Sequence, residues 1–216
     1  MTRDDSETTS TEKRVRMVER QLRGRGITDE RTLAAMAEVP RHRFVPEGMR
    51  RRAYRDGALQ IGEGQTISQP WIVACMTQLL DLRGDETVLE VGTGSGYGAA
   101  VLSRLCAEVI TVERFASLAH RAAAILAELG YDNIEVRVGD GSRGAPDRAP
   151  FGGISVTATA EGEPPPELVR QLASGAALVC PVSRGRREHL VRLRDGQEES
   201  VASVRFVPLV SDARDS

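Results

Sequence analysis

Beyond Gly84 the chain alternates short apolar runs with longer stretches whose apolar positions recur at helical spacing. Residues 87–91 form one such run, followed by the glycine-rich GTGSG and a helix predicted to reach Leu105. Residues 109–112 supply a second strand. The next helix carries Leu118, Ala122, Ile125, Leu126 and Leu129 on one face and stops at Gly130, a residue suited to a left-handed helix end. Strands at 134–138 and 154–157 follow, then a proline-started helix at 166–172 and a strand at 176–182. The end of the chain predicts a hairpin, 190–194 with 201–207, turning near Asp195-Gly196. Such alternation folds as an open sheet with helical crossovers. The expected class is α/β, a doubly wound, mostly parallel sheet with helices on both faces and a C-terminal antiparallel hairpin.

Ahead of Gly84 the pattern changes. Residues 1–12 are acidic and hydroxyl-rich and read as a disordered tail. Val15, Val18 and Leu22 then sit at helical spacing in an Arg-rich surface helix. Thr28 or Asp29 can cap a second helix carrying Leu33, Met36 and Ala37, which Pro40 stops. Residues 41–69 read as irregular, with Gly57, Gly62 and Gly64 among them. Pro70 suits the first turn of a helix whose Trp71, Ile72, Cys75, Met76 and Leu79 face a core. These helices make an N-terminal addition to the sheet.

Composition narrows the classes. With 40% hydrophobic residues over 216 positions the chain can bury a core, which excludes disorder of the whole. No apolar run approaches the ~20 residues of a membrane span. The start of the chain is the opposite of an export signal, so a cytoplasmic protein is expected. A net charge of -2 gives no global support for binding nucleic acid or an acidic membrane. Of the 29 basic residues only Lys13 is a lysine. Cys75, Cys106 and Cys180 offer neither a metal spacing nor a disulfide framework, and His42, His120 and His189 stand far apart, so no metal is expected.

The chemistry concentrates at VLEVGTGSGYG. Gly92, Gly94 and Gly96 let a chain turn tightly between strand and helix and let a ligand approach the backbone. The spacing is G-x-G-x-G, and Tyr97 stands where a dinucleotide fingerprint needs its third glycine. Glu90 precedes the glycines on a buried strand, where a carboxylate needs a partner such as a cationic ligand. A methionine-derived ammonium and sulfonium suit such an acidic pocket, which repels pyrophosphate. Glu113 ends the second strand, the place for an acceptor of a ribose diol. Asp140 follows the third and can accept from an adenine amine. Three acids at consecutive strand ends point to a nucleoside site, and the combination resembles the class I S-adenosylmethionine-dependent methyltransferases.

A closer resemblance lies outside that loop. VPRHRFVP (39–46), AYRDGALQIGEGQTISQPWIVACM (53–76), VLEVGTGSGYGAAVL (88–102), VGDGSRG (138–144) and VRFVPLV (204–210) match the protein-L-isoaspartate O-methyltransferase family in order and spacing. GQTISQP is the discriminating motif, because generic methyltransferases lack it. The resemblance implies a Rossmann-like methyltransferase sheet and methyl transfer from S-adenosyl-L-methionine to the α-carboxylate of isoaspartyl residues, leaving S-adenosyl-L-homocysteine. It maps the active-site serine onto Ser68. It also implies cofactor contacts at Thr66, Ile67, Glu90, Gly92, Thr93, Gly94, Ser95, Gly96, Glu113, Arg114, Asp140, Gly141 and Thr157. Gln65, Thr66, Ser68 and Ala158 are expected at the acceptor peptide. One methyltransferase domain is expected over residues 13–210: a helical, substrate-binding part (13–83), a cofactor-binding core (84–182) and a hairpin (183–210), with 211–216 as a tail. Isoaspartyl proteins are the expected partners of a monomer.

Ser68, two residues before Pro70, can also be read as a helix cap, and Thr157 as an ordinary strand-end hydrogen-bonder. Five positions depart from the family pattern: Gly98, Gly152, Ala176, Ser183 and Glu188. They motivate two alternatives. One is methylation of an aspartyl side chain in a dedicated biosynthetic peptide, although such relatives often carry an added C-terminal domain. The other is a non-catalytic protein that only binds S-adenosylmethionine.

Overall fold

A computed structural model describes residues 3–211, with side chains from residue 9 onward. The first helix, α1 (Arg3–Met17), runs through most of the stretch expected to be a disordered tail. Arg14 in its last turn is buried and donates Nε to the Ala37 carbonyl, tying α1 to α2 (Glu30–Glu38). Residues 1–2 and 212–216 of the expected tails lie outside the described residues. Asp29 caps α2 by accepting from the Thr32 amide at 2.9 Å. Residues 41–69, expected to be irregular, contain an antiparallel pair, β1 (Leu59–Gly62) and β2 (Gln65–Ile67). Gly62, Glu63 and Gly64 turn between them with φ of 103°, 52° and 69°. Pro70 opens α3 (Pro70–Leu80), which buries Cys75, Met76 and Leu80 while Trp71, Ile72 and Leu79 stay half-buried.

The sheet follows: β3 (Thr87–Val91), β4 (Glu108–Glu113), β5 (Ile134–Val138), β6 (Phe151–Val156), β7 (Ala160–Glu161), β8 (Leu172–Arg184), β9 (Arg187–Arg194) and β10 (Gln197–Ser203). Its order is β5-β4-β3-β6-β8-β9-β10, with β7 alongside the end of β8. Pairing is parallel from β5 to β8 and antiparallel from β8 to β10. The connections diverge from β3, towards β4 and β5 on one side and β6 and β8 on the other. Their carboxyl ends therefore part at a topological switch, where open α/β sheets bind ligands.

Successive strand residues alternate between two cores. Val88, Val109 and Val179 pack with α2, α3, α4 (Tyr97–Leu102) and α5 (Ala116–Glu128). Leu89, Ile110, Ile154 and Leu178 pack the other way, against Leu168 of α6 (Pro166–Val169) and Phe151. On that face α6 stops at Val169, short of the expected residue 172. Gln171 ends it: its side chain accepts from the Ala145 amide and donates to the Arg143 carbonyl, both at 2.8 Å. Likewise α4 stops at Leu102, short of the expected Leu105, with the Ser103 hydroxyl folded back onto the Ala100 carbonyl.

The C-terminal hairpin turns at Asp195-Gly196 as expected, with φ of 49° and 75°. Its second strand, however, is β10, and residues 204–207 leave the sheet. Glu188 draws them away: its carbonyl accepts from the Val204 amide and its carboxylate from the Phe206 amide, both at 3.0 Å. The segment then pairs with Thr159 through Val207 and Leu209. It crosses the carboxyl edge of the sheet as a strap.

Candidate active site

A cavity of about 680 Å³ opens at the switch point, a size typical of small-molecule sites. Its walls are residues 64–69 with Ile72 and Val73, residues 90–95 with Tyr97 and Gly98, residues 112–115, Gly141, Thr157-Ala158 and the strap 203–210. Of the residues expected at the site, Gln65, Thr66, Ile67, Ser68, Glu90, Gly92, Thr93, Gly94, Ser95, Glu113, Arg114, Gly141, Thr157 and Ala158 all meet on these walls. Gly96 and Asp140 do not.

The glycine turn explains its own composition. Gly92, Gly94 and Gly96 have φ of 94°, 53° and 86°, a region that strains other residues. A Cβ at Gly92 would stand 2.3 Å from the Thr157 hydroxyl, and one at Gly96 3.2 Å from the Ala122 Cβ of α5. Gly96 therefore packs helix to sheet behind the wall. Asp140 accepts from the Ser142 amide and hydroxyl at 2.9 and 2.7 Å, capping the short turn that places Gly141 on the wall.

Two carboxylates dominate the donor side. Glu113 accepts from the Gly94 amide at 2.8 Å and from the Phe115 amide at 3.0 Å, so the acid fixes the glycine turn directly. Each oxygen has a second lone-pair direction that these bonds leave available. Glu90 is buried and accepts from the Thr111 hydroxyl at 2.7 Å, which in turn meets the Thr93 hydroxyl at 2.7 Å. Burial pushes its carboxyl up to about 8, with the Thr111 hydrogen bond opposing and the charge of Glu113 adding to the rise. Gly98 makes room for it: a Cβ there would lie 2.2 Å from Glu90 Oε1.

On the opposite wall, β2 leads directly through Ser68 and Gln69 into α3. Gln69, not Ser68, occupies the cap position, and no side chain caps the helix. The Ser68 hydroxyl makes no hydrogen bond among the described residues, while its carbonyl accepts from Arg41 Nη2 at 2.6 Å. A free hydroxyl beside the unpaired amides of a helix start is an arrangement that receives an anion. Thr157 takes the other role: its hydroxyl donates to the Gly92 carbonyl at 2.8 Å and the Val91 carbonyl at 3.0 Å. Its side chain therefore braces the wall. Gln65 turns its amide back onto the Glu63 carbonyl at 3.2 Å.

Two of the remaining departures lie away from the cavity, whereas Glu188 anchors the strap on its wall. Gly152 and Ala176 are near the amino ends of β6 and β8, and a Cβ at Gly152 would sit 2.5 Å from the Glu86 side chain. Ser183 pairs with Glu188 across β8 and β9. Tyr97, Phe115 and the strap went unrecognised as cavity residues, although VRFVPLV carries a family motif. Among the described residues no group of three or more His, Cys, Asp or Glu could hold a metal ion.

A family profile for protein-L-isoaspartate(D-aspartate) O-methyltransferase matches residues 12–214. The chain belongs to that family. The isoaspartate methyltransferase of Opitutus terrae is 53% identical over 207 residues, covering 94% of this chain and 88% of that protein. The one from Methanoculleus marisnigri is 52% identical over 201 residues, covering 91% of each. A solved protein-L-isoaspartate O-methyltransferase superposes with a TM-score of 0.80 at 27% identity, covering 94% of this chain and 66% of that one. Among the described residues no helix is long and apolar enough to cross a membrane.

Proposed function

We propose that this chain is a protein-L-isoaspartate (D-aspartate) O-methyltransferase. It transfers the methyl group of S-adenosyl-L-methionine to the α-carboxylate of isoaspartyl residues and releases S-adenosyl-L-homocysteine. The observation that carries the reading is one cavity with the glycine turn and two acids on one wall and the free Ser68 hydroxyl on the other. Membership of the family supports the same reaction.

The residues fit the donor. Glu90 is a buried carboxyl that accepts from a hydroxyl and, among the described residues, pairs with no cation, and an ammonium would stabilise its charged form. Glu113 can accept from ribose hydroxyls while keeping its bonds to the turn. Gly92 and Gly94 leave backbone exposed where side chains would obstruct, and Thr66, Ile67, Thr93, Ser95, Arg114, Gly141 and Thr157 complete the donor's surroundings. Asp140 serves indirectly, by holding Gly141 in place. Bound there, the donor supplies an electrophilic methyl group on a sulfonium.

The acceptor carboxylate is already ionised at neutral pH, so the protein needs no general base. Its task is to align an oxygen with the methyl carbon and to keep water away. The Ser68 hydroxyl donates to that carboxylate. The first amides of α3 lie at the positive end of a helix, an interaction worth ~0.3–2 kcal/mol. Gln65, Thr66 and Ala158 border the peptide, and the strap covers it. The ester then closes to a succinimide without the enzyme, and hydrolysis returns part of it to normal aspartate. We read the protein as a cytoplasmic monomer acting on damaged proteins, not on nucleic acid, in keeping with a net charge of -2.

Incubation with labelled S-adenosylmethionine and matched isoaspartyl and aspartyl peptides tests this. Selective labelling of the isoaspartyl peptide is expected. Equal labelling points to a different acceptor, and S-adenosylhomocysteine binding without turnover points to a non-catalytic relative; either result overturns the reading.

A further inference from the structure

Among the described residues Arg41 is the largest side chain with no solvent exposure, and no carboxylate among them pairs with it. Its guanidinium donates to two backbone carbonyls, Ala53 through Nε at 2.8 Å and Ser68 through Nη2 at 2.6 Å. It lies over the Tyr97 ring with 4.8 Å between the guanidinium carbon and the ring centroid, and Nη1 has no partner. Burial alone pushes its ionisation down from the ordinary value, yet an arginine remains a cation in a protein. Burying an unneutralised charge is unfavourable, and two carbonyls and a ring compensate only in part.

The placement gives that charge a use. Arg41 is absent from the cavity walls, but both Ser68 and Tyr97 stand on them. It thus lies behind the wall that carries Ser68, joined to the Ser68 carbonyl by its shortest hydrogen bond. We infer that Arg41 is a positioning residue of the acceptor site, fixing the Ser68 carbonyl and lending the site a buried positive charge that selects an ionised acceptor carboxylate. Carbonyls compensate a cation without cancelling it, so an arriving anion gains an attraction that a neutral group of the same shape does not. The inference rests on the acceptor reading given above.

The test compares two peptides, one with a free isoaspartyl α-carboxylate and one with that group as its primary amide. Binding of each to the protein saturated with S-adenosylhomocysteine is measured by calorimetry. The wild-type protein is expected to prefer the acid by about tenfold or more, as for a hydrogen-bonded charge. In Arg41→Met the preference should fall to about threefold or less, with S-adenosylhomocysteine affinity kept within about threefold. Arg41→Lys keeps a cation but replaces the rigid guanidinium fork, which reaches the two carbonyls from separate nitrogens, with a single flexible ammonium. It should retain the preference while lowering kcat.

An Arg41→Met protein that discriminates as the wild type does overturns the inference. If that variant does not fold, an Arg41→Lys protein that loses the preference, or that keeps wild-type kcat, overturns it instead. A wild-type protein that binds acid and amide alike contradicts the acceptor reading itself, whatever the variants do.

Discussion

Ser68 and Gly94 face each other across the site, and each makes a separable contribution. The Ser68 hydroxyl has no hydrogen-bond partner among the described residues, so Ser68→Ala leaves packing intact and removes one hydrogen bond to a charged acceptor. Such bonds are worth ~1.5–3 kcal/mol, and kcat/KM for an isoaspartyl peptide should fall by about 10- to 100-fold. Affinity for S-adenosylhomocysteine should hold; a large loss in equilibrium dialysis contradicts the role given to the hydroxyl. Gly94 is different. Its φ of 53° disfavours a branched residue, while its nearest neighbour to a built Cβ, Ile61 Cδ1, is at an ordinary 3.5 Å. Gly94→Val is therefore strained by ~1–3 kcal/mol and projects into the donor's space. Calorimetry should show at least about a hundredfold loss of S-adenosylhomocysteine affinity, with Tm lowered by ~2–12 °C.

At the scale of elements, the strap has no regular structure of its own and depends on Glu188. That carboxylate accepts from the Phe206 amide at 3.0 Å and the Thr159 hydroxyl at 3.1 Å, holding the segment against the sheet edge. Glu188→Ala should loosen this wall and raise KM for the peptide by about three- to tenfold while kcat changes little. Steady-state kinetics with unchanged KM would remove the strap from the acceptor site. The same element shows where sequence reading ends. β3 and β4, the alternating β5, the end of β6 and the Asp195-Gly196 turn were legible because each rests on local chemistry: apolar runs, apolar alternation and residues that accept positive φ. The start of the strap was expected to continue the strand at 201–207 because Val204, Phe206 and Val207 look like one, and what overrides that pattern is a carboxylate on another strand. The β1–β2 pair was missed because two very short strands leave almost no periodicity, although the glycines of its turn were noted. Arg41 gave no signal, since nothing in RHR says which arginine is buried. Its neighbour Arg43 is half-buried and pairs with Glu128 at 2.7 Å.

For the molecule as a whole, Glu90 links ligand, proton and stability. Its carboxyl titrates at about 8 in the folded protein, raised from 4.5 chiefly by burial, so between these values the folded chain holds a proton that the unfolded chain has released. Stability falls with pH wherever the folded state binds more protons, so this group favours folding below about 4.5 and its contribution declines as pH rises towards 8. Other groups titrate too, and the informative quantity is the Tm of the wild type minus that of Glu90→Gln, whose amide can still accept from Thr111. That difference should become more negative from pH 5 to pH 9, by an amount on the order of 4 kcal/mol, or about 8–16 °C. S-adenosylhomocysteine should counter the trend. Its ammonium stabilises the ionised carboxylate, so binding releases a proton from Glu90 at neutral pH and strengthens as pH rises towards 8, until the ammonium itself titrates. Calorimetry in two buffers of different ionisation enthalpy counts the proton directly. Wild type and Glu90→Gln differing by no proton at pH 7 would mean that Glu90 is not the partner of the ligand's cation, and the two acids would then have to be reassigned along the same wall.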